Sequence, residues 1–214
     1  MKKKTVALLM ACVMALGVAV GGTMAWLTDK TDSVKNVFTT SNIDITLTET
    51  PSDEVEEGED WAKKMIPGFT IDKDPVVTVG ANSEDCWLFI KVEKSGGEVK
   101  VDGETCSFDD FIEYEIDPNN WNQLTDADGE DVEGVYVGVV PCENITADRS
   151  VKVLLNNKVH VKGTVTKEMM DGISEEDRPK LTFTAYAHQL YKNNTEKFTA
   201  AEAWASISGT TATP

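Results

Sequence analysis

Few side chains in this sequence are placed for chemistry. The two histidines, His160 and His188, lie outside any HExxH pattern, whereas a zinc peptidase needs two or three clustered nitrogens and a carboxylate. A shared metal site requires two strands to bring both rings together, and histidines on separate strand surfaces are the favoured interpretation. Motifs for a serine nucleophile, a phosphate loop or a dinucleotide are absent. The sequence therefore predicts no catalytic residue, no cofactor and no enzyme.

An acidic segment between residues 126 and 131 is the pattern that most suggests a metal ion. Asp126, Asp128 and Asp131 are candidate calcium ligands, because alternating carboxylates are typical of calcium loops. The segment lacks the regular spacing and the final glutamate of an EF-hand. Its Asp-Gly pair also fits an ordinary hairpin turn. A solvated turn is the favoured interpretation, and calcium binding is the alternative.

The cysteines limit the disulfide framework. Cys12 lies in an apolar N-terminal run, which leaves Cys86, Cys106 and Cys142 for the folded part. Three cysteines allow at most one internal disulfide and leave one thiol over. Sequence spacing does not choose the pair, although Cys86 and Cys106 enclose the shortest loop. Three buried, unpaired thiols are an equal alternative. No CxxC pair occurs, so a zinc or redox site has no support.

The elements that must position these residues are mostly strands. Alternation of apolar and polar residues, rich in β-branched side chains, is typical of half-buried antiparallel strands. The patterns lie at Ile43–Leu47, Val76–Val79, Cys86–Val92, Val135–Val139, Val159–Val165 and Leu181–Ala187. In the third pattern we assign Cys86, Leu88, Ile90 and Val92 to the core, whereas the other face starts aromatic and ends charged. Six or more such strands between polar turns indicate a sandwich or barrel. We therefore expect an all-β fold, an antiparallel β-sandwich over residues 37–208, with one or two short peripheral helices.

Two short helices are predicted. Residues 107–113 carry apolar side chains at helical spacing. Thr199 and Glu202 form a capping box ahead of Trp204, which predicts a second helix that packs Trp204 against one end of the sandwich. The residues that follow, 209–214, are small and polar, and we expect a flexible tail there.

Aromatic residues on the predicted strands have two interpretations. Trp87, Phe89, Trp121 and Tyr136 would suit a sugar-binding face if they shared one surface. Packing between sheets is the commoner role of such residues, and it is the favoured interpretation.

The charge of the chain excludes one class of partner. The formal net charge is −17, and removal of Lys2, Lys3 and Lys4 with an N-terminal leader makes it more negative. Such a protein repels phosphate backbones and anionic lipid. We therefore expect no nucleic-acid partner.

The first 25 residues have the parts of a secretory signal peptide. A lysine-rich start precedes an apolar run from Val6 to Val20, and small residues follow it. We place cleavage between Ala25 and Trp26, so that residues 1–25 form a signal helix that the mature protein lacks. A retained membrane anchor and a lipoprotein cut before Cys12 are the alternatives. We expect a secreted protein that meets a membrane only through the uncleaved signal peptide.

Several segments together resemble one family of secreted bacterial proteins. These segments are Gly21–Asp29, Asn36–Leu47, Met65–Val79, Ala185–Gln189 and Ala203–Trp204. The first resembles the SipW-type signal junction of TasA and camelysin proteins, where Gly-Gly-Thr-x-Ala precedes an aromatic residue. The others resemble the N-x-F-x-x-G-x-L-D-L-x-L, P-G…K-D-P, A-Y-A-x-Q and A-W segments of that family.

The resemblance implies a fold, a location and partners. It implies a jelly-roll-like β-sandwich, cleavage by a signal peptidase of the SipW type, and assembly into matrix fibres of a Gram-positive-type bacterium. The partners would be further copies of the chain and a matrix accessory protein. Camelysin also carries a metallopeptidase label, but this sequence has no zinc motif to support that activity.

The segment that follows the leader has a role in the assembly hypothesis. Residues 26–36 form an N-terminal arm that, with Val34, Val37 and Phe38 as anchors, adds a strand to a neighbouring subunit after cleavage. Such head-to-tail addition does not close and gives filaments. A disordered N-terminus is the alternative for the arm. A monomeric surface module that binds polysaccharide or a host protein is the alternative function, followed by a secreted metallopeptidase.

Overall fold

The computed structural model describes residues 43–49 and 65–209, and the strands it defines there are antiparallel. The strands are β1 (Ile45–Thr48), β2 (Thr70–Asp72), β3 (Val76–Val79), β4 (Cys86–Ser95), β5 (Val99–Val101), β6 (Glu104–Cys106), β7 (Ile112–Ile116), β8 (Trp121–Thr125), β9 (Asp131–Gly138), β10 (Arg149–Lys152), β11 (Leu154–Val161) and β12 (Lys180–Gln189). The helices are α1 (Phe108–Phe111), α2 (Lys167–Gly172) and α3 (Ala200–Ser208). The predicted all-β class is confirmed, and α2 is a helix that the sequence analysis did not predict.

One layer consists of two three-stranded sheets that meet where β2 is followed by β3 and β10 is followed by β11. The strand orders are β1-β3-β10 and β2-β11-β7. β10 continues into β11 through Val153, whose N–H donates to the Pro75 carbonyl at 3.0 Å. Pro75 also separates β2 from β3, because proline has no N–H to donate and restricts Asp74 to extended conformations.

The second layer is one four-stranded sheet, and the main core lies between the two layers. Its strand order is β12-β4-β9-β8, while β5 and β6 form a separate hairpin. Leu88, Ile90 and Val92 of β4 are buried in one cluster with Val77 and Val79 of β3. The period-two alternation of β4 therefore selects the face that the sequence analysis assigned to the core.

The other face of the four-stranded sheet carries a second apolar cluster, which α3 covers. Phe89 of β4 is fully buried there, together with Ala203 of α3. The predicted capping box is present, because Thr199 N donates to Glu202 Oε2 at 2.8 Å and Glu202 N donates to Thr199 Oγ1 at 3.2 Å. The prediction that Trp204 packs against one end of the sandwich is wrong, since the Trp204 ring lies on this outer sheet face against Phe89.

Two further details correct the predicted elements. The helix expected over residues 107–113 ends at Phe111, and Ile112 already begins β7. Gly134 of β9 has φ +67°, and a Cβ at this position would lie 2.6 Å from the Val92 carbonyl oxygen. Only glycine therefore lets β9 pass this close to β4.

Candidate functional site

Strand β12 has the longest edge without a paired strand in the described part of the chain. All ten of its residues pair with β4, from Lys180 opposite Ser95 to Gln189 opposite Cys86. No described strand pairs with its other side, which we call the open edge. A long strand edge of this kind is a template for another chain.

The open edge lacks the features by which edge strands normally avoid pairing. Charged residues, proline and bulges are the usual protection. β7 has exposed Glu113 and Glu115, and β8 has a register irregularity against β9. In contrast, β12 has no Lys, Arg, Asp, Glu or Pro from Leu181 to Gln189. The open edge is therefore suited to accept a further strand.

Strand β1 lies beside β12 but hydrogen-bonds within the other layer. β1 pairs with β3, and it also contacts β12 across the side of the molecule. Ile43 and Ile45 are buried, and Gly80 N donates to the Asp44 carbonyl at 2.8 Å. The start of the described chain is thereby fixed next to the open edge.

The aromatic residues proposed for a sugar-binding face do not share an open surface. Trp121 is 2% exposed, and its Nε1 donates to the Lys152 carbonyl at 2.7 Å. Trp87 Nε1 donates to the Phe198 carbonyl at 2.8 Å, beneath the C-terminal segment. Phe89 is fully buried, and Tyr136 packs against the main core. These residues therefore have packing roles.

Lysine ion pairs hold the C-terminal segment on the outer sheet face, and the sequence analysis missed them. Lys192 Nζ donates to Glu202 Oε1 at 2.6 Å and to Glu196 Oε1 at 3.3 Å. The hydrogen bond from Lys192 lowers the pKa of Glu202 to about 2, and the Thr199 N–H acts in the same direction. Lys197 pairs with Glu143 in the loop before β10. The contacts of Lys192 with Glu202 and of Lys197 with Glu143 span 10 and 54 residues, so no local pattern indicated them.

The two histidines lie in different layers and have different partners. His160 is on β11, where Nδ1 lies 3.2 Å from Thr70 Oγ1. His188 is on β12, where it is buried and Nδ1 lies 2.8 Å from the Gln189 carbonyl oxygen. The His188 ring meets Phe198 edge-on at 4.6 Å between centroids. The fold therefore does not join the histidines in one site.

The candidate calcium segment forms the turn between β8 and β9. Asp126 Oδ1 accepts from Asp128 N at 2.9 Å and from Glu130 N at 3.0 Å, and Gly129 supplies the positive φ. Asp131 already belongs to β9. In residues 43–49 and 65–209 no group of three His, Cys, Asp or Glu side chains is placed to hold a metal ion. The Asp126 carboxylate stabilises this turn, and calcium binding stays an untested alternative.

The three cysteines of the folded part are not equivalent. Cys86, at the start of β4, lies opposite Cys142, which follows β9. Both thiols are buried, whereas Cys106 is partly exposed on β6 opposite Val99. The fold therefore brings together a pair that the sequence spacing left open.

Several predicted features fall in parts of the chain that the structure does not describe. They are the signal peptide of residues 1–25, its cleavage site at Ala25 and Trp26, the arm of residues 26–36, and the anchors Val34, Val37 and Phe38. Among the helices that are described, none has the length and apolar character needed to cross a membrane.

Comparisons of this chain with protein-family models, with curated proteins and with solved structures gave no match.

Proposed function

We propose that this protein is a secreted, non-catalytic structural subunit of a bacterial extracellular matrix, and that its subunits form fibres by strand addition once the signal peptide is removed. The observation that carries the proposal is the open edge of β12, which is ten residues long and free of charged residues over most of its length. Strand addition to such an edge needs only backbone hydrogen bonds and alternating side-chain contacts.

The strand order supports a jelly-roll-like sandwich as the fold of the subunit. A jelly roll has eight antiparallel strands in two layers, with connections that cross between them. β2 with β3, and β10 with β11, each act as one long strand, so that each layer has four strands. The chain crosses between layers from β3 to β4, from β4 through the β5–β6 hairpin to β7, from β7 to β8, from β9 to β10 and from β11 to β12.

The position of β1 supports donation of the N-terminal arm to another subunit. The arm precedes β1 in sequence, and β1 lies next to the open edge. In this proposal the arm leaves the domain at this side and adds to the open edge of a neighbour. Each added subunit then presents a new open edge, so the assembly grows as a filament.

Deletion of the arm tests the proposal. Mature protein that begins at Trp26 is expected to form fibres, visible by electron microscopy and as an increase in light scattering. The same protein without residues 26–36 is expected to stay monomeric, whereas deletion of residues 211–214 serves as the matched control and leaves assembly intact. Fibre growth at the wild-type rate without the arm would refute arm donation.

A charge placed on β12 tests the acceptor side. Lysine is a common protective residue on natural edge strands. Thr182→Lys, at an exposed position of β12, is expected to slow fibre growth strongly. Thr105→Lys, at an exposed position of the β5–β6 hairpin, is the control and is expected to leave growth unchanged. A protein that stays monomeric at all concentrations and is stabilised by an added polysaccharide would instead favour the binding-module alternative.

A further inference from the structure

The backbone between β9 and β10 brings Cys142 to Cys86 through a shift in strand register. Phe89 lies opposite Val137 in the β4–β9 pair, and a regular ladder would continue with Val140 opposite Cys86. The chain instead bends at Val139 and Val140, and Cys142 takes the position opposite Cys86. Two residues are therefore inserted into the ladder immediately before the cysteine.

The backbone fixes the two cysteines as a directly opposed pair. Cys86 N donates to the Cys142 carbonyl at 2.9 Å, and Cys142 N donates to the Cys86 carbonyl at 2.8 Å. Residues that exchange both bonds have Cα atoms roughly 5.5 Å apart, within the range of about 4.4–6.8 Å that a disulfide spans. Their side chains also point to the same face of the sheet.

Both sulfur atoms are buried and interact with each other, as the opposed backbone positions suggest. Cys86 is 0% exposed and Cys142 is 2% exposed, and the two thiols hydrogen-bond to each other. That hydrogen bond lowers the pKa of Cys142 to about 7, and Arg149 acts in the same direction. It raises the pKa of Cys86, and burial raises it further.

We propose that Cys86 and Cys142 form an intramolecular disulfide when the chain folds under oxidising conditions. The thiolate of one cysteine attacks one sulfur of a small-molecule disulfide, such as oxidised glutathione, and releases one reduced thiol. The thiolate of the other cysteine then attacks the protein sulfur of this mixed disulfide and releases the second reduced thiol. The chain loses two protons and two electrons, and the small molecule gains them.

Closure of the bond requires only a small local movement. Disulfides have Cβ atoms about 3.8 Å apart, roughly 1–2 Å closer than the Cβ atoms of a directly opposed pair. The bend at Val139 and Val140 lies next to Cys142, and both valines are exposed, so this segment can take up the shift. Both sulfurs are buried in the folded chain, so we expect oxidation during folding.

Cys106 is left as the unpaired thiol. It lies on β6 and faces Val99 across the β5–β6 hairpin, which is a sheet separate from β4 and β9. Among the three cysteines of the folded part, only Cys86 and Cys142 are therefore placed to bond. The proposed disulfide does not depend on the proposed assembly role.

Thiol mapping after refolding tests the pair. The full chain is unfolded in guanidinium with a reductant, refolded in a glutathione redox buffer or in reductant alone, quenched in acid, and alkylated after denaturation. Denaturation is essential, because buried thiols resist alkylation whether or not they are bonded. Peptide mass spectrometry is expected to show Cys12 and Cys106 alkylated, with Cys86 and Cys142 joined in the oxidised sample only.

Melting temperatures provide a second measurement. The oxidised chain is expected to melt roughly 10 °C above the reduced chain, because the bond closes a long loop. Cys106→Ser is expected to keep this difference, and Cys142→Ser is expected to lose it. The digestion includes cleavage after Glu113 and Glu115, so that Cys106 and Cys142 lie on separate peptides. Alkylation of Cys86 and Cys142 in the oxidised sample, or a disulfide bond to Cys106, would overturn the proposal. The mapping uses the unmodified chain, so it decides the matter even if Cys142→Ser fails to fold.

Discussion

Replacement of Trp204 by alanine measures how firmly α3 is held on the outer sheet face. The Trp204 ring lies between Phe89, at 5.4 Å between ring centroids, and Tyr186, at 5.3 Å with perpendicular planes. A fully buried Trp→Ala change costs about 3–5 kcal/mol. Trp204 is only partly buried, so we expect a loss of roughly 2–3 kcal/mol in the free energy of unfolding, contacts with both rings included.

For a domain of this size, that loss corresponds to a fall of roughly 5–10 °C in melting temperature. Circular dichroism during heating and urea titration measures the two quantities independently. Ser206→Ala, at an exposed position of the same helix, is the control and is expected to change stability by less than about 0.5 kcal/mol. Trp204→Phe is expected to restore about half of the loss. A Trp204→Ala protein that melts within about 1 °C of the wild type would show that α3 does not stabilise the sheet in this way.

Two further predictions concern the backbone and the C-terminal ion pairs. Gly134→Ala is expected to cost about 2–4 kcal/mol in a urea titration, because it combines a positive φ with a Cβ too close to the Val92 carbonyl. Gly103→Ala, at a positive φ with open space, is the matched control and should cost only about 1–2 kcal/mol; equal costs would contradict the close approach. The pKa of Glu202 falls from 4.5 to about 2 on folding, so the stability that its ionised form contributes is present above pH 4.5 and is lost as the pH falls toward 2. Glu202→Gln and Lys192→Met are each expected to reduce the change of melting temperature with pH over that range. The same pH dependence in both variants as in the wild type would refute a stabilising Lys192–Glu202 ion pair.

The strands were predictable where one face meets the core and the other meets water. β4, β9 and β12 are long enough for several alternations, and the core face of β4 was assigned correctly from them. The short strands β2, β5 and β6 have three residues each and give no periodic signal of their own. The cap of α3 was also predictable, because both of its partners lie within one turn.

The features that depend on long-range geometry were not predictable from the sequence. The aromatic positions of β4 were recognised as a distinct face, but nothing near Trp87 indicates that residues about a hundred positions later cover it. The Cys86–Cys142 pair depends on two inserted residues in a ladder whose register the sequence does not encode locally. Likewise, the open edge of β12 is a property of the strand order, which emerges only when both layers are assembled.

The cover formed by α3 has a practical consequence for how the protein is handled. The helix ends at Gly209, which is exposed and in a left-handed conformation, so an added affinity tag can follow it without disturbing the sheet. A cut before Thr199 would have the opposite effect, because it would expose Phe89, Tyr186 and their neighbours to solvent at once. Proteolytic cleavage before Thr199 with loss of α3 would therefore cause aggregation through the exposed apolar face. Such aggregation should be distinguished from ordered fibre growth.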